Sequence, residues 1–502
     1  MRQVFLVLLL ATVVATGFHW GSFVAGGSDS YCYVHQAERW ASLRLQVPEP
    51  LALEAPWPNA PLTFAPAGHV PSPTVPGALV PICPSGLSIA MAPMLASGGP
   101  RAMFLVVPLF GALFVWATFT CGSRFGSRVG LASAVLAACS PPFLYQLMQP
   151  MSDVPAAALW MFAVAAATGT KPRAPFVAGF ATAAAILMRP NLVPMAIPIG
   201  LFILLRPERT WRDRLRGAWR YGAAAASGAI AVAFIQHAFY GSALQSGYGS
   251  LGTYFSLDHV AQNAARYVTW MSQAHTLAWL LALAAPFLLP GPLTALLIFL
   301  CLVNVAGYLP FAVFEEWSYL RYLLPTIPLL LILAVAVIDG VCRRIRPALA
   351  PAVVALATAV LAVVSVREAN DREVFRLQRL EARFERAGTY VGHRLPPNAI
   401  VITSWQSGSV RFYGHRPTLV WDGLDPAWLD RAVDFVRTRG LEPYLLFERW
   451  EEPIFRRRFA PSPIAALDWP PMAEVASQVR IYRPGDRERY ARGTLPPTEY
   501  VR

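Results

Sequence analysis

Two aspartates, far apart in sequence, occupy comparable places in the chain. Asp29, in GGSDSYCYVHQAERW, directly follows an apolar run near 4–25, and Asp153, in LMQPMSD, stands between apolar runs near 129–148 and 154–170. A carboxylate at the edge of a bilayer is costly unless it has a partner or a task. One task open to it is to deprotonate an acceptor nucleophile as general base. Arg189, in ILMRPN, and Arg321, in FEEWSYLRYLLPTIP, also stand at span ends, and guanidinium groups pair well with phosphate oxygens. Asp29 and Asp153 are therefore the candidate catalytic residues. Arg189, Arg321, Glu315, Glu316, Tyr31 and Tyr322 are the candidate substrate-binding residues.

Each candidate also has a plain structural reading. Asp29 in SDSY and Asp153 in MSDVP could cap the helices that follow them, and Arg321 could pair internally with Glu315 or Glu316. What favours chemistry is that all of these residues are expected on one side of a membrane. His35 and His69 are read as polar loop residues rather than metal ligands, because no HxH or HxxxH spacing accompanies them.

The elements that must position these groups are mostly apolar helices. Of the 502 residues 55% are hydrophobic and only 14% charged, with a mean hydropathy of +0.44; soluble chains carry roughly 25% charged residues. The net charge of +13 comes from short arginine clusters between apolar runs and from a polar tail, which argues for membrane topology and against nucleic acid. Apolar runs near 4–25, 103–121, 129–148, 154–170, 174–189, 191–206, 218–240, 276–290, 292–313, 320–339 and 347–366 give about 11 transmembrane helices. The first run resembles a signal peptide at Arg2, but its length to Ala25 favours a retained span.

Sidedness turns on residues 79–97, LVPICPSGLSIAMAPMLAS, where Pro81, Pro84, Gly86 and Pro93 weaken a continuous helix. If this segment lies along the surface, Arg2, Arg124, Arg128, Lys171, Arg173, the 206–216 cluster and Arg343, Arg344 and Arg346 all fall on the cytoplasmic side, as short basic loops should. Residues 26–100, the turns holding Asp153 and Arg321, and everything after Val366 are then exoplasmic. Cys32 and Cys83 both lie in the long outer loop, where a disulfide would form in an oxidising compartment.

After the last span, a charged amphipathic stretch precedes short apolar segments alternating with helical patterns (AIVITSW, TLVWD, PYLLFERW), which indicates a soluble α/β domain with a partly parallel sheet. Residues 1–366, including the outer loop 26–100 with its interfacial helices, form one domain and 367–502 the other. The segment SWQSGSVRFYGHR (Ser404 to Arg416) is read as a helix start that could also meet a ligand.

VPICPSGL, SPPFLYQLMQPMSDVPAAALW, MRPN and WSYLRYLLPTIPLL, in this order after an early aspartate, resemble the GT-C membrane glycosyltransferases. The branch is the protein mannosyltransferase and aminoarabinose transferase type, glycosyltransferase family 39, over roughly residues 1–340. The resemblance implies a polytopic α-helical GT-C fold in the inner membrane and transfer of a hexose or pentose from a polyprenyl-phosphate donor to a periplasmic lipid, glycan or protein, with inversion. It makes Asp29 the catalytic acidic residue of the first outer loop and Asp153 the second acidic residue of the site. No cofactor or metal is implied; a divalent cation between the two aspartates is the less favoured alternative. Where relatives read Asp-Glu this chain reads Asp29-Ser30, and VPICPSG replaces their later loop motif, so their particular donors and acceptors do not carry over. The competing reading is a transporter or flippase of a lipid-linked or anionic substrate, against which stands the lack of an internal repeat.

Overall fold

Prolines and glycines decide where the apolar runs of this chain stop being straight helices. The computed structural model describes residues 2–206 and 209–501, so Pro207 and Glu208 of the 206–216 basic cluster lie outside the described residues. The chain divides into two units: Met1–Gly21, Pro84–Ile235 and Gly249–Leu377 in the first, and Ser22–Cys83, Gln236–Tyr248 and Gln378–Arg502 in the second. The outer loop is thus divided at Cys83, its larger part lying with the tail.

The first unit is helical. Arg2–Trp20, Trp211–Tyr240, His259–Leu288 and Ala350–Asp371 are long and apolar enough to cross a membrane, and the number rises to seven if three bent pairs each count as one span. The sharpest bend, 92°, separates Ser85–Met103 from Val106–Gly122. Just before it, Gly99 takes φ +76°, a left-handed value that glycine adopts at little cost, followed by Pro100, which cannot donate to the preceding turn. Asp153–Ala167, Ala174–Met188, Pro190–Leu204 and Pro292–Tyr308 are shorter apolar helices.

Basic loops meet at shared partners. Arg128 and Arg343 both reach the buried carboxylate of Asp339, at 3.8 and 2.6 Å, and Arg2 bonds Ser127 at 2.6 Å. Arg206 donates to the carbonyl of Gly169 at 2.7 Å, capping the C-terminal end of Asp153–Ala167, where a cation also suits the helix dipole.

The second unit holds two sheets. In the small one, β3 (Ala78–Pro81) pairs antiparallel with β1 (Val47–Pro48) and β2 (His69–Pro71). The larger sheet has the order β5-β4-β6-β8-β7-β9, from Thr418–Leu419, Ala399–Ile402, Glu442–Glu448, Val479–Tyr482, Ala473–Val475 and Glu499–Val501. Strand β4 runs parallel to both β5 and β6, while β8 is antiparallel to its neighbours.

Side chains alternate across a strand, and the central strands are apolar on both faces. Ile400, Ile402, Leu445 and Phe447 point into one core with Phe455, Phe459, Trp421 and the loop residues Trp57 and Phe64. Ala399, Val401, Tyr444 and Leu446 point into the other, covered by Ala387, Tyr390 and Val391 of helix Leu377–Arg394. The rings of Phe447 and Phe455, 4.5 Å apart at 40°, add about 1 kcal/mol to what their burial gives.

Candidate functional site

Asp153 and Arg189 are brought together by a helical hairpin. Asp153 is the first residue of Asp153–Ala167, and Arg189 follows the last residue of Ala174–Met188. Packed side by side through a short connection, the two helices place one N-terminus beside one C-terminus. Pro190 disfavours helical geometry at Arg189, whose backbone turns to φ −146°, ψ 90° and leaves the helix there. The guanidinium Nη1 then lies 2.8 Å from Asp153 Oδ1. Asp153 is 2% exposed, so an opposite charge is what makes its ionised form tolerable. Neither carboxylate oxygen is aligned with a hydrogen-bond donor among the described residues, so the contact is one of charges rather than a directed bond. Ser152, at the capping position, makes no side-chain capping bond.

An aromatic cluster carries the second arginine. Tyr322 belongs to the 3-10 helix Trp317–Leu323, stacks on Tyr308 with centroids 4.8 Å apart, and presents its ring to Arg189 at 5.5 Å and to Arg321 at 5.4 Å. Arg321 also lies over Tyr319 at 5.1 Å. Asn191 Nδ2 donates to the Tyr308 hydroxyl at 2.7 Å. The structure therefore gathers Asp153, Arg189, Arg321 and Tyr322. Glu315 and Glu316 stay exposed at the edge, and the ion pair of Glu315 is with Arg266, at 3.7 Å.

Asp29 and Tyr31 belong to the second unit. Asp29 opens helix Asp29–Ser42, where its charge suits the positive end of the helix dipole, and Ser28 makes no side-chain capping bond. Cys32 is disulfide-bonded to Cys83, with Cα atoms 6.2 Å apart, which ties this helix to the end of β3. Tyr31 and His35, one helical turn apart, stack with centroids 5.2 Å apart and planes 7° from parallel. His35 and His69 are not the polar loop residues expected from the sequence. Their Nδ1 and Nε2 atoms lie 3.0 Å apart, both are buried, and His69 begins β2. Burial, aided by Arg39 and Arg411, pushes His35 down to about 3 and holds His69 well below the usual imidazole range. The i, i+4 spacing of Tyr31 and His35 is the local signal in the sequence that could have placed His35 on a packed helix face. Among the described residues, no three His, Cys, Asp or Glu side chains gather as metal ligands would.

Residues 86–237 match the family model described as dolichyl-phosphate-mannose-protein mannosyltransferase. No curated protein matches the sequence of this chain. Among solved structures, the fold is similar to that of ArnT from Cupriavidus metallidurans bound to undecaprenyl phosphate. That likeness has a TM-score of 0.61 at 12% identity and covers 96% of this chain and 98% of that one. It is also similar to the oligosaccharyltransferase AglB from Archaeoglobus fulgidus in complex with an inhibitory peptide and a dolichol-phosphate. Here the TM-score is 0.54 at 10% identity, over 90% of this chain and 70% of that one. At such identities the likeness is one of fold.

Proposed function

From a chain that has the GT-C glycosyltransferase fold, and whose residues 86–237 match a mannosyltransferase model, we propose an integral membrane glycosyltransferase. It moves a hexose or pentose from a polyprenyl-phosphate donor to an exoplasmic lipid, glycan or protein. About eleven crossings, the seven longer spans with the four shorter apolar helices, fit that reading. The observation that carries it is the convergence of Arg189 and Arg321 on Tyr322 beside the buried Asp153.

The chemistry follows from the charges. As the bond between the anomeric carbon and the phosphate oxygen breaks, negative charge grows on the departing polyprenyl phosphate. Two guanidinium groups fixed beforehand stabilise that charge without reorganising. Asp29 takes the proton of the acceptor as its oxygen bonds the anomeric carbon, and this single displacement inverts the centre. Asp153 orients Arg189 through their ion pair. Tyr31, Glu315 and Glu316 complete the substrate-binding assignments.

Sidedness rests on two features. Asp153 and the Arg206 cap stand at opposite ends of a helix that is about 22 Å long at 1.5 Å per residue, so a cytoplasmic basic loop puts Asp153 at the outer surface. The Cys32–Cys83 disulfide suits an oxidising compartment outside the inner membrane.

The test is to incubate purified protein with polyprenyl-phosphate sugars and membrane extract, following both free polyprenyl phosphate and sugar on the acceptor. Wild type should release the carrier as it transfers sugar, and Asp29→Asn should do neither while inserting normally. Movement of intact donor across vesicles without transfer would establish a transporter or flippase instead.

A further inference from the structure

The turn that delivers Asp29 is gripped by side chains of the tail. Ala25, Gly26 and Gly27 lead into helix Asp29–Ser42, and each meets one tail residue, all within the second unit. The N–H of Ala25, a fully buried residue, donates to the Tyr413 hydroxyl at 2.8 Å. A buried N–H needs such a partner. A Cβ built on Gly26 would lie 2.5 Å from Phe384 Cδ2, so only glycine lets the backbone rest against that ring. Gly27 turns the chain at φ +55°, and a Cβ there would lie 3.3 Å from Trp405 Cζ2.

The gripping residues are themselves fixed. Phe384 is buried on helix Leu377–Arg394, and Tyr413 stands near the end of helix Ser407–Gly414. Trp405 donates its backbone N–H to Glu451 Oε1 at 3.0 Å, while Oε2 of the same buried carboxylate accepts from the N–H of Glu448 at 2.9 Å. That bridge ties Trp405 to the last residue of β6. Ser28 makes no side-chain capping bond, so no cap from that residue shares the duty of holding the helix start.

A base must be aligned closely with the proton it removes, and a misplacement of about 1 Å can cost about 100-fold in rate. We infer that Trp405 and Tyr413 are positioning residues for Asp29: two side chains of the tail fix the turn that presents the base. This role rests on Asp29 being the base assigned above. It gives the tail a part in the chemistry, because it sets the rate of proton removal from the acceptor without touching the substrate.

Two measurements on the full-length protein in detergent test the role, one of them independent of activity. Tyr413→Phe removes a single oxygen, and Trp405 is 38% exposed, so both Tyr413→Phe and Trp405→Ala should fold. Hydrogen exchange over residues 24–30 should quicken about tenfold in each, while β4 and β6 exchange as in wild type. In the transfer assay, kcat per folded protein should fall about tenfold in each, with the donor KM within about twofold of wild type. Either residue loses the role if its variant leaves exchange over 24–30 or kcat unchanged, or if donor KM moves as much as kcat. It loses the role equally if exchange quickens as much in β4 and β6, which would report a general loosening. Wild type that transfers no sugar would remove Asp29 as the base and this role with it, a result distinct from an active wild type with indifferent variants.

Discussion

His35 and His69 share one proton. With Nδ1 of the first 3.0 Å from Nε2 of the second, one ring must donate and the other accept, so the contact exists only while at least one imidazole is neutral. Both rings are buried, and the cations Arg39 and Arg411 bear on both.

Acid should therefore loosen this region. For both rings the folded-state value lies below the unfolded one near 6.5, so between the two the unfolded chain binds more protons. The stabilising contribution is complete above about pH 6.5 and declines as pH falls toward about 3, the value to which His35 is pushed, by up to about 1.4 kcal/mol per pH unit for each ring. Glu38, His415 and Arg416 line the same cavity as the pair. Thermal midpoints measured from pH 7.5 down to 4.5 should fall, and His35→Gln should flatten the slope. A midpoint indifferent to pH would mean the rings are not held neutral.

Breaking the Asp153–Arg189 pair from one side should cost more than removing both charges. Arg189→Ala leaves a carboxylate that is 2% exposed without its counter-ion, a loss of about 3–5 kcal/mol. Asp153→Asn combined with Arg189→Ala should recover a large part of that stability. Activity should return in neither, because the phosphate-directed guanidinium is gone from both. A double-mutant cycle read by thermal unfolding checks the first statement, and a transfer assay the second; additive stability losses would show that the two charges do not interact.

Much of this was legible in the sequence for definite physical reasons. The alternation of Ile400 and Ile402 against Ala399 and Val401 marks a strand buried on both faces. The prolines after Arg189 and around Gly99 mark where helices end or bend. What could not be read is pairing at a distance. Nothing local to ILMRPN names Asp153 as the partner of Arg189, and nothing local to His69 names His35, because both pairings depend on how helices and a small sheet pack. Arginine at a span end suggested an anionic ligand, and the anion seen beside Arg189 is the protein's own carboxylate. Burial of the two histidines was hidden for a similar reason: the cover over them comes from chain more than 300 residues later, at Arg411.

The cysteines give a chemical count. Cys32 and Cys83 are bonded, whereas Cys121, Cys139, Cys301 and Cys342 are free. Denatured but unreduced protein should take up four maleimides by mass, and six after reduction. The bridge closes a loop across a sequence separation of 51, so Cys32→Ser with Cys83→Ser should cost about 4 kcal/mol on the chain-entropy account. Six maleimides without reductant would remove the disulfide from the structure and the argument for an oxidising compartment with it.

Gly408 should prove intolerant of a methyl group, for a reason that reaches the cavity. It lies in the first turn of helix Ser407–Gly414, and a Cβ built there would overlap the ring of Tyr31. Gly408→Ala must therefore push Tyr31 off its stack with His35 or shift the helix that carries Arg411, at a cost of about 1–3 kcal/mol for overpacking. Helix propensity runs the other way, favouring alanine by about 1 kcal/mol, so the two effects have opposite signs and the measured midpoint decides between them. A fall would show that the contact dominates, and combining Gly408→Ala with Tyr31→Leu should then restore stability, since a smaller side chain makes room. A rise for Gly408→Ala alone would mean that the Tyr31 ring yields to the added methyl at little cost.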